Sequence, residues 1–557
     1  MDRHLDIKGI SVEIEKILMP YVRTKSFTNT VGEKEAEFFF QFNFEKEAYF
    51  QKNKEYYGTF PIKDDPLNRS VSWALIRGKG PDTVVLIHHN DIVSVEDFRS
   101  YKEYAFSPYE LERKLRCISA SLPADVSNDL ESGDYMFGRG VCDMKGGGAI
   151  QIALMNYYSR ISDLKGNLVL LALPDEENLS AGMRSGVILL KRLQNKYNLN
   201  YRLMINSEPH QRKQKDTGVF SVGSIGKIMP FVYVRGYLAH AGKVFEGLNP
   251  LNVMSGIVRA TELNSDFSDT VFSGEASPPP TWLYFKDSKE HYDVSMPLFA
   301  YGCISVQTMK QTPKEVLNKI KNIAEDVFKQ VLKDTQKSSD VFCKVTGTPQ
   351  HMLPWSVKVI SIGELLKDIQ QNLGNEFDNS YNKIMNNLFS EVKTGKISLI
   401  VANQALVNWL FDNLEDTSPC VVYGLIPPYV PHVSNDSFSV LHDNIKALPD
   451  KLNAFTLDEF GQRYTTEHFY TGISDLSYSS MFNRREVEAT LKESMPFWGR
   501  LYDLPIDTIE QISMPCINIG PWGKDFHKMT ERVLKEDLYV RTPRIIAEAI
   551  RLAISSS

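Results

Sequence analysis

The amino-acid sequence predicts an α/β protein, with a mainly parallel central sheet flanked by helices and a smaller inserted β-α-β-α domain. The first observation is a set of short, nearly continuous apolar runs, which are typical of strands buried on both faces of a parallel sheet. The second is that helical patterns, such as 147–158 and 185–193, lie between these runs, as expected of the α/β class. The runs are TVVLI (83–87), NLVLLAL (167–173), YRLMIN (201–206), CVVYGLI (420–426) and CINIG (516–520).

Polar residues follow each of these five runs. In chain order the endings are HHND, PDEEN, SEPH, PPYVPH and GPWGKDFH. Ligands of open α/β sheets collect beyond the carboxyl ends of the strands, so we expect the five endings to converge on one site. Any single ending could be an ordinary loop, and the prediction depends on their convergence.

A middle segment, 221–345, is predicted to be an inserted lid or dimerisation domain. Its pattern reads strand, helix, strand, helix, and the last helix begins after Thr312 with a capping box and a proline at its first position. The run SGEASPPPTW (273–282) is expected to be a long loop inside this domain. The remaining residues, 1–220 and 346–557, are expected to form the catalytic domain.

The segment 354–415 is mostly helical in pattern, and we place it on the catalytic domain as a helical insertion ahead of the run CVVYGLI. A chain of 557 residues is too long for one hydrophobic core, which favours at least two domains.

Composition narrows the classes of function. A net charge of -6, with acidic and basic residues mixed along the chain, leaves no basic stripe for nucleic acid or an anionic membrane, so neither is an expected partner. The six cysteines form no CxxC pair, and the N-terminal segment lacks the apolar core of a signal peptide. No window is long and apolar enough for a membrane-spanning helix. We therefore expect a cytoplasmic protein.

The first two candidate site elements precede the middle segment. His89 and Asp91 form an H-x-D at the end of the first run, where a carboxylate can hold the second ring nitrogen of a metal-ligating histidine. Asp143, in FGRGVCDMKGGGAI, stands just before glycines and a helical run. Taken singly, the first pair also fits a solvated loop, and Asp143 also fits a helix-capping residue.

The next elements add more carboxylates and a second histidine. Asp175, Glu176 and Glu177 stand in a row after a buried strand, where they repel one another unless a cation offsets their charge. A divalent metal would let one carboxylate ligate while its neighbour takes a proton from water, although an acidic turn is the simpler alternative. Glu208 in NSEPH and His527 in GPWGKDFH complete the set, and each alone also fits an ordinary loop.

The ligand types guide the choice of metal. Two imidazoles and three carboxylates suit two Zn²⁺ ions that share a bridging carboxylate and keep an open position for water, and Mn²⁺ or Co²⁺ would also fit. The predicted ligands are His89, Asp143, Glu177, Glu208 and His527.

The order of the motifs resembles the co-catalytic zinc exopeptidase and amidohydrolase family, which includes aminoacylases, glutamate carboxypeptidases and succinyl-diaminopimelate desuccinylases. The motifs are HND, GRGVCDMKGG, DEEN, SEP, HAG at His240 and GPWGKDFH followed by a glutamate four residues after its histidine. They span residues 89–531. Stretches such as SPPPTWLYFKDSKEHYDV and LIPPYVPHV are similar to the long branch of arginine-utilisation proteins.

The resemblance implies a role for each matching position. Asp143 would bridge two metal ions. His89 and Glu208 would complete one metal site. Glu177 and His527 would complete the other.

The resemblance also implies three catalytic groups. Glu176 would be the general base that takes a proton from the attacking water and then gives it to the leaving amine. Asp91 would orient His89. His240 would stabilise the oxyanion of the tetrahedral intermediate, across a dimer interface or after lid closure, whereas by itself it fits a surface histidine.

Some positions depart from the family pattern or fall outside it. The lid strand on which many relatives carry an arginine for a substrate carboxylate reads VQTMK here, with Lys310 as the nearest basic residue, which argues against recognition of a free carboxylate by that route. Trp522 and Phe526 crowd the loop before the last histidine, which would narrow the pocket. His88 does not match the H-x-D spacing, and we expect it to be only a neighbour of the site. His210 also falls outside the pattern, and we expect it either to support a ligand or to be structural.

The sequence therefore predicts a dinuclear metal-dependent hydrolase that cleaves an amide bond of a small N-acyl amino acid or short peptide. A homodimer formed through the inserted domain is a further expectation. The alternatives are a single-metal hydrolase on the same scaffold and a catalytically silent metal-binding or dimerising homologue.

Overall fold

The computed structural model of the protein describes residues 7–212, 214–271 and 274–554, and the chain divides into two units. Unit 1 holds the described residues of Met1–Ile225, Pro431–Phe482 and Pro505–Ser557. Unit 2 holds those of Gly226–Val430 and Asn483–Leu504. The expected cytoplasmic location is based partly on the N-terminal segment, and residues 1–6 of this segment lie outside the described residues.

The strands and helices are numbered in chain order. The strands are β1 (Tyr57–Pro61), β2 (Ser70–Ile76), β3 (Asp82–His89), β4 (Tyr135–Phe137), β5 (Asn167–Leu173), β6 (Asn200–Asn206), β7 (Thr217–Ser221), β8 (Gly223–Ser224), β9 (Gly226–Ile228), β10 (Pro230–Arg235), β11 (Thr281–Asp287), β12 (Phe299–Thr308), β13 (Val359–Ser361), β14 (Cys420–Leu425), β15 (Val433–Ser434), β16 (Arg463–Glu467), β17 (Cys516–Asn518), β18 (Gly523–Lys524) and β19 (Arg532–Leu534). The helices are α1 (Ile7–Arg23), α2 (Glu33–Glu45), α3 (Ala48–Lys52), α4 (Pro108–Arg116), α5 (Ala124–Ser132), α6 (Lys145–Ser159), α7 (Ala181–Tyr197), α8 (Pro250–Thr261), α9 (Pro313–Thr346), α10 (Ile362–Leu373), α11 (Phe377–Lys393), α12 (Leu399–Asp412), α13 (Asp443–Lys446), α14 (Leu448–Phe460), α15 (Arg484–Ser494), α16 (Ile506–Ile512) and α17 (Thr542–Ile554).

The large sheet of unit 1 has the strand order β1-β2-β5-β3-β6-β17-β7-β16. Its centre is parallel, since β5, β3, β6 and β17 all run the same way, while β1, β2 and the β17–β7 pair add antiparallel ladders. Every residue of β5 is buried, as its continuous apolar run predicts. The sheet edge at the carboxyl ends of β3, β5 and β6 therefore gathers the residues that follow these strands.

Glycines at the start of α6 let that helix lie close to this edge. A Cβ at Gly147 would lie 2.2 Å from the Ser207 carbonyl oxygen, and one at Gly148 would lie 2.6 Å from the ring of His88. Both distances are too short for van der Waals contact, so larger residues would push α6 away from the sheet. The loop that carries Asp143, directly before α6, would move with it.

Unit 2 has its own sheet, ordered β11-β12-β10-β14-β13, with β9 paired to β12. The helices α8 and α9 follow the predicted order, and α9 begins with the predicted capping box: Thr312 Oγ1 accepts the Glu315 N–H, and Glu315 Oε2 accepts the Thr312 N–H. Within the described residues, no helix combines the length and the apolar character needed to cross a membrane.

The structure corrects the predicted placement of CVVYGLI and of the helices before it. The strand β14 pairs with β10 and β13 in the sheet of unit 2, and α10, α11 and α12 belong to the same unit. A continuous apolar run indicates a strand buried on both faces but carries no information about its partner strands. The predicted segments 221–345 and 346–557 therefore differ from the units that the structure forms.

A second correction concerns the run 273–282. Its last two residues, Thr281 and Trp282, begin β11, which forms the edge of the unit 2 sheet, so this part of the run is a strand that the prediction did not include. Ser273 lies outside the described residues.

Candidate metal centre

Six of the predicted site residues lie at the carboxyl-end edge of the unit 1 sheet or in loops that reach it. His89 ends β3, Glu176 and Glu177 follow β5, and Glu208 follows β6. Asp143 lies between β4 and α6, and His527 lies between β18 and β19. These two loops are held together because β4 and β19 pair in a small antiparallel sheet.

The imidazole of His89 lies between two carboxylates. Its Nε2 atom is 3.1 Å from Asp143 Oδ1 and 3.6 Å from Glu208 Oε1. One ligand atom from each of these three residues lies within 4.8 Å of the others. The three residues can therefore surround one small cation.

A second group of three forms around the same aspartate. His527 Nε2 lies 2.8 Å from Glu177 Oε1 and 3.1 Å from Asp143 Oδ2. These three residues also place their ligand atoms within 4.8 Å of one another. The His89 ring is buried, whereas the His527 side chain is 47% exposed, so this second group borders solvent. Asp143 offers one oxygen to each group.

Asp91 connects His89 to the turn after β5. Its backbone carbonyl oxygen lies 3.1 Å from His89 Nδ1, which leaves Nε2 facing the carboxylates. Its carboxylate accepts the N–H groups of Glu176 and Glu177, at 3.1 and 3.2 Å, and the hydroxyl of Thr28 at 3.0 Å. Asp91 therefore contacts both a histidine and the backbone of the acidic turn.

Glu176 differs from the other carboxylates of the site. Its Oε1 atom is buried and has no hydrogen-bond partner among the described residues. Burial, reinforced by Glu177 and Glu208, holds the pKa of this carboxyl well above its usual range, while His89 opposes the shift. A buried carboxyl group with one unbonded oxygen and a raised pKa is suited to exchanging a proton with a bound molecule.

The surrounding carboxylates raise the pKa of both histidines. Burial alone would lower the pKa of His89, but Glu208, Asp143 and Asp91 outweigh it, so that its pKa lies well above the usual value. Hydrogen bonds with Asp143 and Glu177 raise the pKa of His527 to about 10, against a smaller opposing effect of burial.

The pKa values of the carboxyl groups in the site shift in opposite directions. Burial would raise the pKa of Asp143, but its bonds to the two histidines lower it below the usual range. Burial raises the pKa of Glu208 and Glu177, and neighbouring carboxylates add to the shift.

The donor set fits divalent cations. Four carboxylates and two imidazoles meet in a largely desolvated site, where clustered negative charge is costly unless cations or protons neutralise it. Oxygen and imidazole ligands suit Zn²⁺, Mn²⁺ or Co²⁺.

Glu531 is a member of the site that the sequence marked only as a glutamate near the last histidine. Its Oε1 atom accepts the N–H groups of Gly140, Cys142 and Asp143, at 2.8, 3.3 and 3.3 Å. Its Oε2 atom accepts Nη1 of the buried Arg139 at 2.6 Å. A carboxylate four residues after His527 thus holds the backbone of the Asp143 loop. Spacing could not predict this contact, because it joins two loops that are far apart in the chain.

The remaining singled-out residues lie elsewhere. His240 lies in unit 2, where its side chain is exposed and its Nδ1 atom accepts the Gly242 N–H at 3.0 Å. Also in unit 2, Lys310 donates to the Thr270 carbonyl oxygen. In unit 1, Trp522 is buried in the hydrophobic core of the unit.

The histidines outside the motif spacing are buried and bonded. His88 lies 3.2 Å from the Tyr21 hydroxyl and 3.0 Å from Gln151 Oε1, and His210 Nδ1 lies 2.8 Å from the Gly520 carbonyl oxygen.

Comparisons with known proteins agree with this architecture. The family model described as peptidase family M20/M25/M40 matches residues 121–548. The chain is 30% identical to the uncharacterized protein YqjN of Bacillus subtilis over 549 residues, which cover 98% of this chain and 97% of that protein. It is 27% identical to protein RocB of the same organism over 548 residues, with 96% of this chain and 94% of that protein covered.

Solved structures show a similar fold at low identity. A metallo-carboxypeptidase of the M20 family from Sulfolobus solfataricus matches with a TM-score of 0.53 and 12% identity, covering 97% of this chain and 99% of that one. A tripeptidase from Staphylococcus aureus matches with a TM-score of 0.51 and 12% identity, covering 98% and 99%. At such identities the likeness concerns the fold, and the predicted fold class is confirmed.

Proposed function

The chain belongs to peptidase family M20/M25/M40 and is by family a metal-dependent hydrolase, and we propose that it cleaves an amide bond of a small N-acyl amino acid or short peptide. The family resemblance predicted from the motifs is thereby confirmed. The substrate, the number of metal ions and the role of each residue are the content of the proposal.

One observation supports the proposal most directly: Asp143 presents its two oxygens to two different histidines, each with a further carboxylate beside it. This arrangement suits two cations that share the Asp143 carboxylate. We assign His89 and Glu208 to the first cation, and Glu177 and His527 to the second. Two Zn²⁺ ions are our preferred assignment, with Mn²⁺ or Co²⁺ as alternatives.

When bound, such cations supply Lewis acidity and neutralise the clustered carboxylates. Glu176 is the proposed general base: its Oε1 atom takes the proton of the attacking water and gives it to the leaving amine, which restores the carboxylate. Asp91 holds the His89 ring in its orientation and holds the backbone of Glu176 in place. His240 is the proposed group that stabilises the oxyanion of the tetrahedral intermediate.

The catalytically silent alternative accounts poorly for Glu176. A buried carboxylate oxygen with no hydrogen-bond partner among the described residues is costly, and a binding protein would gain nothing from it. The single-metal alternative differs from the proposal only in stoichiometry, so elemental analysis of the purified protein separates the two.

The proposal extends to assembly and location. We propose a homodimer formed through unit 2, because its edge strand β11 carries the half-exposed side chains of Leu283 and Phe285, and one side of this strand pairs with no other strand among the described residues. Light scattering of the pure protein should then give twice the chain mass of 63.4 kDa. A cytoplasmic location remains a prediction.

A substrate panel tests the central proposal. The purified protein would be incubated with N-acyl amino acids and dipeptides, including arginine derivatives because of the resemblance to arginine-utilisation proteins, with and without Zn²⁺, Mn²⁺ or Co²⁺. We expect metal-dependent release of a free amine from at least one class. Absence of turnover for every substrate and metal, with metal bound, would favour the silent homologue.

A further inference from the structure

Arg69 is a buried arginine that does not belong to the metal site but contacts the turn beside it. It lies just before β2, is 3% exposed and donates through Nη1 to both Glu33 Oε1, at 2.8 Å, and Asp175 Oδ1, at 2.7 Å. On its other side, Nη2 donates to Asp65 Oδ1 at 2.7 Å. One guanidinium therefore joins α2, the start of β2 and the turn after β5.

Asp175 is the residue on which this turn closes. Its backbone N–H donates to Glu33 Oε2 at 2.8 Å, and its Oδ2 atom accepts the N–H of Ala181 at 3.1 Å. Its carbonyl oxygen accepts the Ser180 N–H at 2.7 Å. Its φ of +70° lies in the left-handed region, which a residue other than glycine adopts only where its surroundings hold it.

We propose that Arg69 is a positioning residue, which together with Glu33 clamps Asp175 and thereby fixes where the next residue, Glu176, presents its carboxylate. The inference rests on the proposed function, in which Glu176 is the general base. The Oε1 atom of Glu176 has no hydrogen-bond partner of its own among the described residues, so its position depends on the backbone of the turn. An error of about 1 Å in the position of a catalytic group can lower the rate roughly 100-fold.

The chain offers a matched control in Asp65. Its side chain is buried and its carboxylate binds the same guanidinium. Among the described residues, its hydrogen-bond partners are the Arg69 side chain and the backbone N–H groups of Leu67 and Arg69, and none of them lies in the turn. Asp65→Asn weakens one contact of Arg69, while the bonds of Arg69 to Glu33 and to Asp175 remain. A general loss of packing around Arg69 should therefore affect both variants, whereas a loss of the clamp should affect only one.

The experiment compares Arg69→Lys, Glu33→Gln and Asp65→Asn in the full chain loaded with metal. Lysine keeps the charge, but its single nitrogen cannot donate to Glu33 and Asp175 while it also holds Asp65, as the two terminal nitrogens of arginine do. We expect kcat of Arg69→Lys to fall about 10- to 100-fold, with KM within about 3-fold and bound metal unchanged. Glu33→Gln keeps the shape but replaces one acceptor by a donor, so we expect a smaller fall in kcat. Asp65→Asn should stay within about 2-fold of the wild type.

A second measurement does not depend on turnover. Hydrogen exchange at the amides of residues 175–181 should be faster in Arg69→Lys than in the wild type and unchanged in Asp65→Asn. Unchanged exchange in Arg69→Lys, or a kcat equal to that of Asp65→Asn, would overturn the inference. A loss of kcat that only matches a loss of bound metal would also overturn it. If the wild type hydrolyses nothing, the proposed function fails, while the exchange measurement still tests the clamp.

Discussion

His527 Nε2 lies 3.1 Å from Asp143 Oδ2. Asp143 and His527 come from two loops that are far apart in the chain. Their contact completes the group of Asp143, Glu177 and His527 around the same aspartate that lies beside His89. Because Asp143 belongs to both groups of candidate ligands, a shift in its position would change the geometry of both groups.

For His527→Ala we expect one of two bound metals to be lost. The variant removes the imidazole of the group formed by Asp143, Glu177 and His527, while the group of His89, Asp143 and Glu208 keeps its ligand atoms. Elemental analysis after gel filtration would give the metal content per chain. His240→Ala, a residue of unit 2, should keep both metals, and an unchanged stoichiometry in His527→Ala would refute the ligand assignment.

Glu176→Gln should abolish turnover while bound metal persists. The amide has nearly the same shape but cannot accept a proton, and general bases typically contribute 10²- to 10⁴-fold to the rate. We therefore expect kcat to fall at least about 100-fold. The neighbouring Glu177→Gln should instead lower metal content, since Glu177 contacts His527. Activity of Glu176→Gln near the wild-type value would contradict its role as base.

Glu531→Gln should weaken metal binding without changing the ligands. The neutral side chain loses its charge interaction with Arg139 and holds the N–H groups of the Asp143 loop less strongly. Loss of a group that orients a metal ligand typically costs 10- to 100-fold in metal affinity, so we expect about that increase in Kd in a chelator competition assay. Lys528→Ala, at an exposed side chain three residues earlier, is the control and should bind metal normally.

Removal of metal by a chelator should lower the midpoint of thermal unfolding, and added Zn²⁺ should restore it. Ligand bound only to the folded state stabilises it by about 2.7 kcal/mol when its free concentration is 100 times Kd. The repulsion among Asp143, Glu177 and Glu208 makes the metal-free state the less stable one. Calorimetry that shows the same midpoint with and without metal would argue against a bound cation at this site.

Thiol chemistry should single out Cys117. It is the exposed one of the six cysteines, whereas burial raises the pKa of Cys303, Cys420 and Cys516 to about 12. At pH 8 we expect one fast-reacting thiol per folded chain with Ellman's reagent, and none in Cys117→Ser.

The buried thiols of Cys303, Cys420 and Cys516 ionise more readily in the unfolded chain than in the folded one. They should therefore lower the free energy of unfolding as pH rises from about 8.5 towards 12.

The sequence alone determined the strands β3, β5, β6 and β17 and the residues that follow them. A strand buried on both faces needs a continuous apolar run, and the polar group after it belongs to the same local stretch of chain. His89, Glu176 and Glu208 were accessible to prediction for this reason. The order of the motifs then sufficed to predict the family.

The tertiary structure decided which segments became neighbours. Local pattern cannot state that β14 pairs with β10 in unit 2, that Glu531 holds the loop of Asp143, or that Arg69 reaches Asp175. Each of these contacts joins residues that are far apart in the chain, and its stability comes from desolvation and pairing that exist only after folding. The sequence thus named the candidate ligands, while the folded structure determined what holds them in place.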